Sequence, residues 1–231
     1  MNTPLLLLHG ALGSKIQLLQ LQQILSKTRE VHILDFEGHG DSLGKLDFSI
    51  SAFRENVVSY LQESNIKKVD VFGYSLGGYV ALDAAYHYPS LFRNIMTLGT
   101  KFSWTPDFAA HEIKMLNAEK IQEKVPAFAQ RLQDLHGIER WKDVVAKTAS
   151  FMENLGAHPT LTKTEFAHIS NRVLICLGEM DKMVTKEESV EVARQLQNGS
   201  FRMIDTFKHP IESVPTAELA HIINEFLKED I

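Results

Sequence analysis

Val69-Asp70-Val71-Phe72-Gly73-Tyr74-Ser75-Leu76-Gly77-Gly78-Tyr79-Val80-Ala81 decides how the rest of the chain is read. Three of its first four residues, Val69, Val71 and Phe72, are the β-branched and aromatic types that favour a strand. A single serine follows, and then a segment with helical character. The serine lies in Gly73-x-Ser75-x-Gly77, the spacing of a nucleophile elbow. A strand that turns at once into a helix brings backbone close on both sides of the turn. Side chains two before and two after the serine would collide, which calls for glycine at both places. The turn lifts the Ser75 hydroxyl above the sheet edge. It leaves the Leu76 N–H at the positive end of a helix, where a developing oxyanion is stabilised.

Outward from this stretch, strand and helix patterns alternate. Leu5 to Leu8 is a continuous apolar run, as in a strand buried on both faces. The loop His9-Gly10-Ala11-Leu12-Gly13 follows it. Ser14 is placed to cap a helix running to about Lys27, and Val31 to Phe36 reads as the next strand. Ser49 or Ser51 opens a helix to about Ser64. After the elbow come a helix to Tyr86 and a strand over Asn94 to Leu98. The alternation then stops. From Gly99 to about Ser170 the patterns are helical, with starts at Thr105-Pro106 and Asn117, a break at Pro126 and a third helix over Trp141 to Leu155. Val173 to Leu177 restores the strand pattern. Thr185-x-x-Glu188 reads as a capping box for a helix to about Gln197. Phe201 to Ile204 is the last strand, and an amphipathic helix runs from about Val214 to Lys228.

Strands alternating with helices imply an α/β fold with a mostly parallel sheet covered on both faces. The expected division is a core over residues 1–99 and 171–231, with an all-helical insertion over 100–170. That insertion is expected at the carboxyl edge of the sheet, where open α/β folds bind ligands.

A serine hydroxyl needs a base, and the base needs an orienting acid. Ten histidines offer themselves, so position must choose. His209 alone falls between the last strand and the last helix, on a loop at the same edge as Ser75. His39, in a glycine-rich loop, is a weaker competitor, and His9 reads as a residue that orders its own loop. Gly178-Glu179-Met180-Asp181 follows the preceding strand. Asp181 fits the acid, with Glu179 and then Asp205 as competitors. A second N–H for an oxyanion falls to the first loop, at Ala11.

The 231 residues suit one large domain, 44% hydrophobic and 23% charged. A net charge of −5 without a basic block argues against nucleic acid or an anionic membrane as partner. The apolar start is too short and too weakly flanked for a signal peptide, and no run approaches a membrane span. The lone Cys176 sits in an apolar run and reads as a buried small hydrophobe. A cytoplasmic protein acting on a small molecule is the expectation. No metal or cofactor motif is found, and nothing bears on oligomeric state.

These residues together resemble the α/β-hydrolase family, and the likeness spans nearly the whole chain. It is carried by His9-Gly10, Asp35-x-x-Gly38-His39-Gly40-x-Ser42, Gly73-Tyr74-Ser75-Leu76-Gly77-Gly78, Gly178-x-x-Asp181 and His209. The resemblance implies Ser75 as nucleophile, Asp181 as acid, His209 as base and the backbone N–H groups of Ala11 and Leu76 as oxyanion hole. It also implies that the helical insertion is a cap, over about six strands rather than eight. Three activities are compatible with it. The first is a serine hydrolase acting on a small carboxylic ester or thioester. Its pocket would draw on Tyr74 and on Trp104, Met115, Phe128, Trp141 and Met152, although residues of these types at helical spacing usually pack in a core. The second is a carbon–carbon lyase or hydrolase similar to the SHCHC synthases of the menaquinone pathway. Those carry an arginine four residues after the serine, where this chain has Tyr79. The third is a ligand-binding, receptor-like protein of low turnover.

Overall fold

The computed structural model describes residues 3–44 and 48–228. Its sheet comprises β1 (Leu5–Leu8), β2 (Val31–Leu34), β3 (Val69–Tyr74), β4 (Phe92–Leu98), β5 (Arg172–Gly178) and β6 (Asn198–Ile204). The order is β2-β1-β3-β4-β5-β6, and every pair is parallel. Helices cover both faces. Leu5 and Leu7 point to the side of α1 (Leu19–Leu25) and α10 (Thr216–Lys228), where Leu21, Leu25, Leu219 and Ile223 meet them. Leu6 and Leu8 point the other way, into a larger cluster with Phe53 and Val57 of α2 (Ile50–Glu63), Val80 and Ala84 of α3 (Leu76–His87), and Val192 of α9 (Lys186–Gln195). This period of two, apolar on both sides, is what an unbroken leucine run encodes.

Several boundaries differ from the expectation. β3 continues to Tyr74 and so delivers the serine directly. β6 starts at Asn198, ahead of Phe201, because it pairs with β5 from Arg172 onward. The first helix opens with a 3-10 turn at Lys15–Leu18. Thr185 does cap α9, accepting from the Glu188 N–H. The Glu188 carboxylate does not return to it, because Lys101 takes it instead.

Between β4 and β5 lie α4 (Pro106–Glu112), α5 (Ala118–Lys124), α6 (Pro126–His136), α7 (Trp141–Ala157) and α8 (Lys163–His168). Only Val125 separates α5 from α6, since proline cannot continue the preceding helix. α7 serves two clusters. Trp141 and Val145 pack with Ile121 and Leu132 inside the insertion. Val144, Phe151 and Leu155 join the main cluster over the sheet. The insertion is thereby seated on the core through α7, and Phe166 of α8 joins the same cluster. No helix among the described residues is long and apolar enough to cross a membrane.

The strand order turns outward in opposite directions from β1 and β3. Loops leaving these two strands part at their carboxyl ends, and that crevice is where doubly wound sheets hold ligands.

Candidate active site

The crevice is built first by the elbow. Leu8 is in register with Gly73, so the loop after β1 starts beside the turn after β3. Ser75 adopts φ 50° and ψ −117°, a sparsely populated conformation that costs of order 1–3 kcal/mol and persists only where its surroundings enforce it. The Ser75 N–H donates to Leu98 O at 2.9 Å. The Thr100 hydroxyl donates to Ser75 O at 2.9 Å. A Cβ on Gly73 would lie 2.5 Å from the Gly77 carbonyl carbon, the collision that the spacing anticipates. A Cβ on Gly77 would instead strike Leu8 O, again at 2.5 Å. Its glycine is thus demanded by β1 as the helix crosses it.

His209 lies on the loop between β6 and α10. Its Nε2 is 3.4 Å from Ser75 Oγ, and its Nδ1 is 2.7 Å from Asp181 Oδ2. Asp181 Oδ1 accepts the N–H groups of Met183 at 2.8 Å and Val184 at 3.1 Å. The acid is thus aimed from both oxygens, and its side chain is 1% exposed. An acceptor carboxylate at Nδ1 keeps the proton there and turns Nε2 toward the serine as a base. The Tyr74 hydroxyl donates to His209 O at 2.9 Å and holds that loop. Burial raises the Tyr74 pKa, so the phenol remains a donor. Tyr74, expected among substrate contacts, sits behind the imidazole.

The competing residues lie elsewhere. Glu179 and Asp205 are exposed. His39 is buried and stacks on Phe48, with ring centroids 4.5 Å apart. His9 accepts from Phe36 N–H at 3.1 Å through Nε2, and its Nδ1 lies 2.8 Å from Gly10 O. Nδ1 therefore carries the proton. Burial lowers this imidazole from 6.5 to about 4, and it serves as a neutral tie beneath the first loop.

A cavity of about 30 Å³ opens at Ser75. Ala11 and Leu76 lie on it, together with Trp104 and Met152 of the insertion. Tyr79, Lys101, Phe151 and Leu155 complete the wall; the sequence marks Tyr79 only as standing where the lyases carry arginine, and does not mark the other three. Phe151 and Leu155 carried a usable signal, the apolar i, i+4 spacing that seats α7. Lys101 carried none, because its role depends on the Glu188 partner. Met115 is 73% exposed and does not reach the cavity. Trp141 and Phe128 pack in the insertion's own cluster, with Leu12 of the first loop against them. Cys176 is buried within β5, and burial pushes its thiol up to about 12.

A parallel sheet whose third strand ends in a serine elbow, with histidine and aspartate arriving from the two last strands, defines an α/β hydrolase arrangement. Residues 3–164 match the family described as alpha/beta hydrolase fold, and the chain belongs to that family. Among curated proteins it is 32% identical over 120 residues to a probable alcohol acetyltransferase of Cyberlindnera fabianii, covering 51% of this chain and 32% of that one. The chain therefore aligns with about a third of that relative. Among solved structures, NosK from Streptomyces actuosus superposes with a TM-score of 0.83 at 19% identity, covering 98% of this chain and 97% of NosK. MenH from S. aureus superposes at 0.78 and 20% identity, covering 99% and 94%.

Proposed function

We propose that the chain is a serine acyl-transfer enzyme that cleaves a small carboxylic ester or thioester. The observation that carries this reading is the chain of contacts from Ser75 Oγ to His209 Nε2 and from His209 Nδ1 to Asp181, at one rim of the sheet. Ser75 Oγ attacks the carbonyl carbon while its proton passes to His209 Nε2. The 3.4 Å resting distance is long for a hydrogen bond, as is common before substrate binds. Leu76 N–H and Ala11 N–H take the oxyanion. The imidazolium returns the proton to the leaving alcohol or thiol, and an acyl-enzyme remains on Ser75. Water, deprotonated by His209, attacks that ester, and the acid leaves as Ser75 is regenerated.

The cavity bears on the acyl group. At about 30 Å³ it has room for roughly two or three water-sized groups, which matches a two- or three-carbon acyl chain. Its walls are mostly apolar. An alcohol can take water's place in the second step, and the alcohol acetyltransferase relative gives that outcome support. The lyase reading finds less. Tyr79, where those enzymes carry arginine, is buried with its hydroxyl accepting the Leu161 N–H at 3.0 Å.

Labelling with a fluorophosphonate probe tests the reading. Wild type is expected to label and Ser75→Ala not to, with turnover of p-nitrophenyl acetate lower by at least ~10³-fold in the variant. Equal turnover in the two proteins would overturn it. Adding ethanol to the assay, and measuring ethyl acetate against acetate, divides transfer from hydrolysis.

A further inference from the structure

His136, the last residue of α6, is 1% exposed and makes two hydrogen bonds outside the insertion. Its Nδ1 accepts the Gly40 N–H at 3.0 Å, which leaves Nε2 as the protonated nitrogen. Nε2 then donates to Leu12 O, also at 3.0 Å. Arg140, just beyond α6, donates to Gly40 O and to Ser42 O from the same side. The loop at Gly40 is thus clasped on both its N–H and its carbonyl. One imidazole connects that clasped loop to the loop after β1.

What it holds at Leu12 is an unfavourable backbone. The Gly13 N–H donates to Gly10 O at 3.1 Å, closing a turn whose central residues are Ala11 and Leu12. Leu12 has φ 57°, a left-handed conformation that a branched side chain avoids when free to choose. The Leu12 side chain packs against the insertion's cluster and against the main cluster over the sheet. The insertion therefore holds this residue at its carbonyl and shares in packing its side chain. On the other side of Ala11, Gly10 packs so closely to the elbow that a Cβ there would lie 3.2 Å from Ser75 Cβ. Ala11 sits between two anchors, one on the nucleophile and one on His136.

We infer that His136 is a positioning residue: by holding the Leu12 carbonyl it keeps the Ala11 N–H turned to the oxyanion, so that seating of the cap completes the site. This rests on the serine acyl-transfer reading above. It gives the cap a part in the chemical step as well as in choosing substrate.

Two near-isosteric variants separate the two ring nitrogens. His136→Gln places an amide N–H near the Nε2 position and keeps the bond to Leu12 O. His136→Asn places a carbonyl near the Nδ1 position and keeps only the bond from Gly40. With p-nitrophenyl acetate, His136→Gln is expected within about fivefold of wild-type kcat. His136→Asn is expected about 10- to 100-fold lower, with KM within threefold, because a misaimed oxyanion donor costs the transition state and not the ground state. Inhibition by phenylboronic acid, whose tetrahedral adduct needs the same donor, should weaken in parallel with kcat in the Asn variant. Inhibition by acetate should not. Equal kcat in the two variants, or a loss confined to KM, overturns the inference while Ser75-dependent turnover in wild type stands. Wild type without Ser75-dependent turnover overturns this inference together with the reading it rests on.

Discussion

The two rims of this sheet each bury an aspartate, and they use it in opposite ways. At the amino rim, Asp70 of β3 is fully enclosed and meets Arg93 through two hydrogen bonds of 2.9 and 2.7 Å. Asn94 adds its backbone and side-chain N–H groups, and Arg29 lies 3.5 Å away. Both oxygens are matched by charge. At the carboxyl rim, the Asp181 side chain is as deeply buried, yet its partners are two backbone N–H groups and one imidazole. Among the described residues, its one ion-pair partner is His209, and no arginine or lysine pairs with it. An acid wholly neutralised by guanidinium groups has nothing left to offer a moving proton. One held by dipoles can stabilise an imidazolium when it forms. Burial alone would rank the two equally, and the partners tell them apart.

The sharpest way to break this contrast is to remove the charge at each rim without changing shape. Asp181→Asn is expected to lower kcat on p-nitrophenyl acetate by on the order of 10³- to 10⁴-fold, because the amide favours the wrong histidine tautomer. Asp70→Asn should leave kcat per folded molecule within about twofold. It should instead cost about 3 kcal/mol or more of unfolding free energy, since the buried Arg29 guanidinium loses the charge that faces it. Urea denaturation and active-site titration of both variants measure the two quantities. Loss of kcat in folded Asp70→Asn would show that the rims are not independent.

The contrast also explains what could be read in advance. Ser75, Asp181 and His209 stand on the loops that leave three strands, and strand alternation assigns loops to rims without knowledge of packing. The glycines at 73 and 77 mark a turn whatever lies around them, though only the coordinates tie Gly77 to β1. The cavity wall was another matter. Trp104 and Trp141 are the same residue type in neighbouring segments, and one faces Ser75 while the other faces Ile121 and Leu132. Which face of a helix between β4 and β5 meets the core depends on contacts far apart in sequence, and local periodicity holds no record of it. Glu188 shows the same limit. Its local reading was a cap partner for Thr185, and a lysine 87 residues away claimed it.

A smaller effect concerns the buried histidines under the carboxyl rim. Burial lowers His9 to about 4 and moves His39 and His136 downward as well. The unfolded chain binds protons on these rings near pH 6.5, and the folded chain does not. Their contribution to stability is therefore full above pH 6.5 and is lost as pH falls toward 4. For His9 alone the loss is on the order of 3 kcal/mol. Urea unfolding free energies at pH 7 and pH 4.5 should show the drop, and His9→Asn should flatten it. A pH-independent stability between 7 and 4.5 would remove the buried, neutral state assigned to His9.

The smallest effect is expected where neither rim's polar order is touched. Met152 lies on the cavity beside Ser75 and is half-buried, and the wall it forms with Leu155 and Phe151 has no hydrogen bonds to lose. Met→Ala there removes a flexible thioether from a space of about 30 Å³. Each extra CH₂ that finds an apolar pocket is worth about 0.8 kcal/mol. Butyrate carries two more CH₂ groups than acetate, so Met152→Ala should raise kcat/KM for butyrate over acetate p-nitrophenyl esters by up to roughly 15-fold, with little change for acetate itself. The same change at Met115, which is mostly exposed, should shift nothing. If both variants keep the wild-type preference, acyl length is not set at this wall, and the cavity at Ser75 receives a different part of the substrate. If Met115→Ala shifts it as much as Met152→Ala, the cap must close further over substrate than it does here. Either result would move the source of selectivity from the shape of the resting cavity to the motion of the cap.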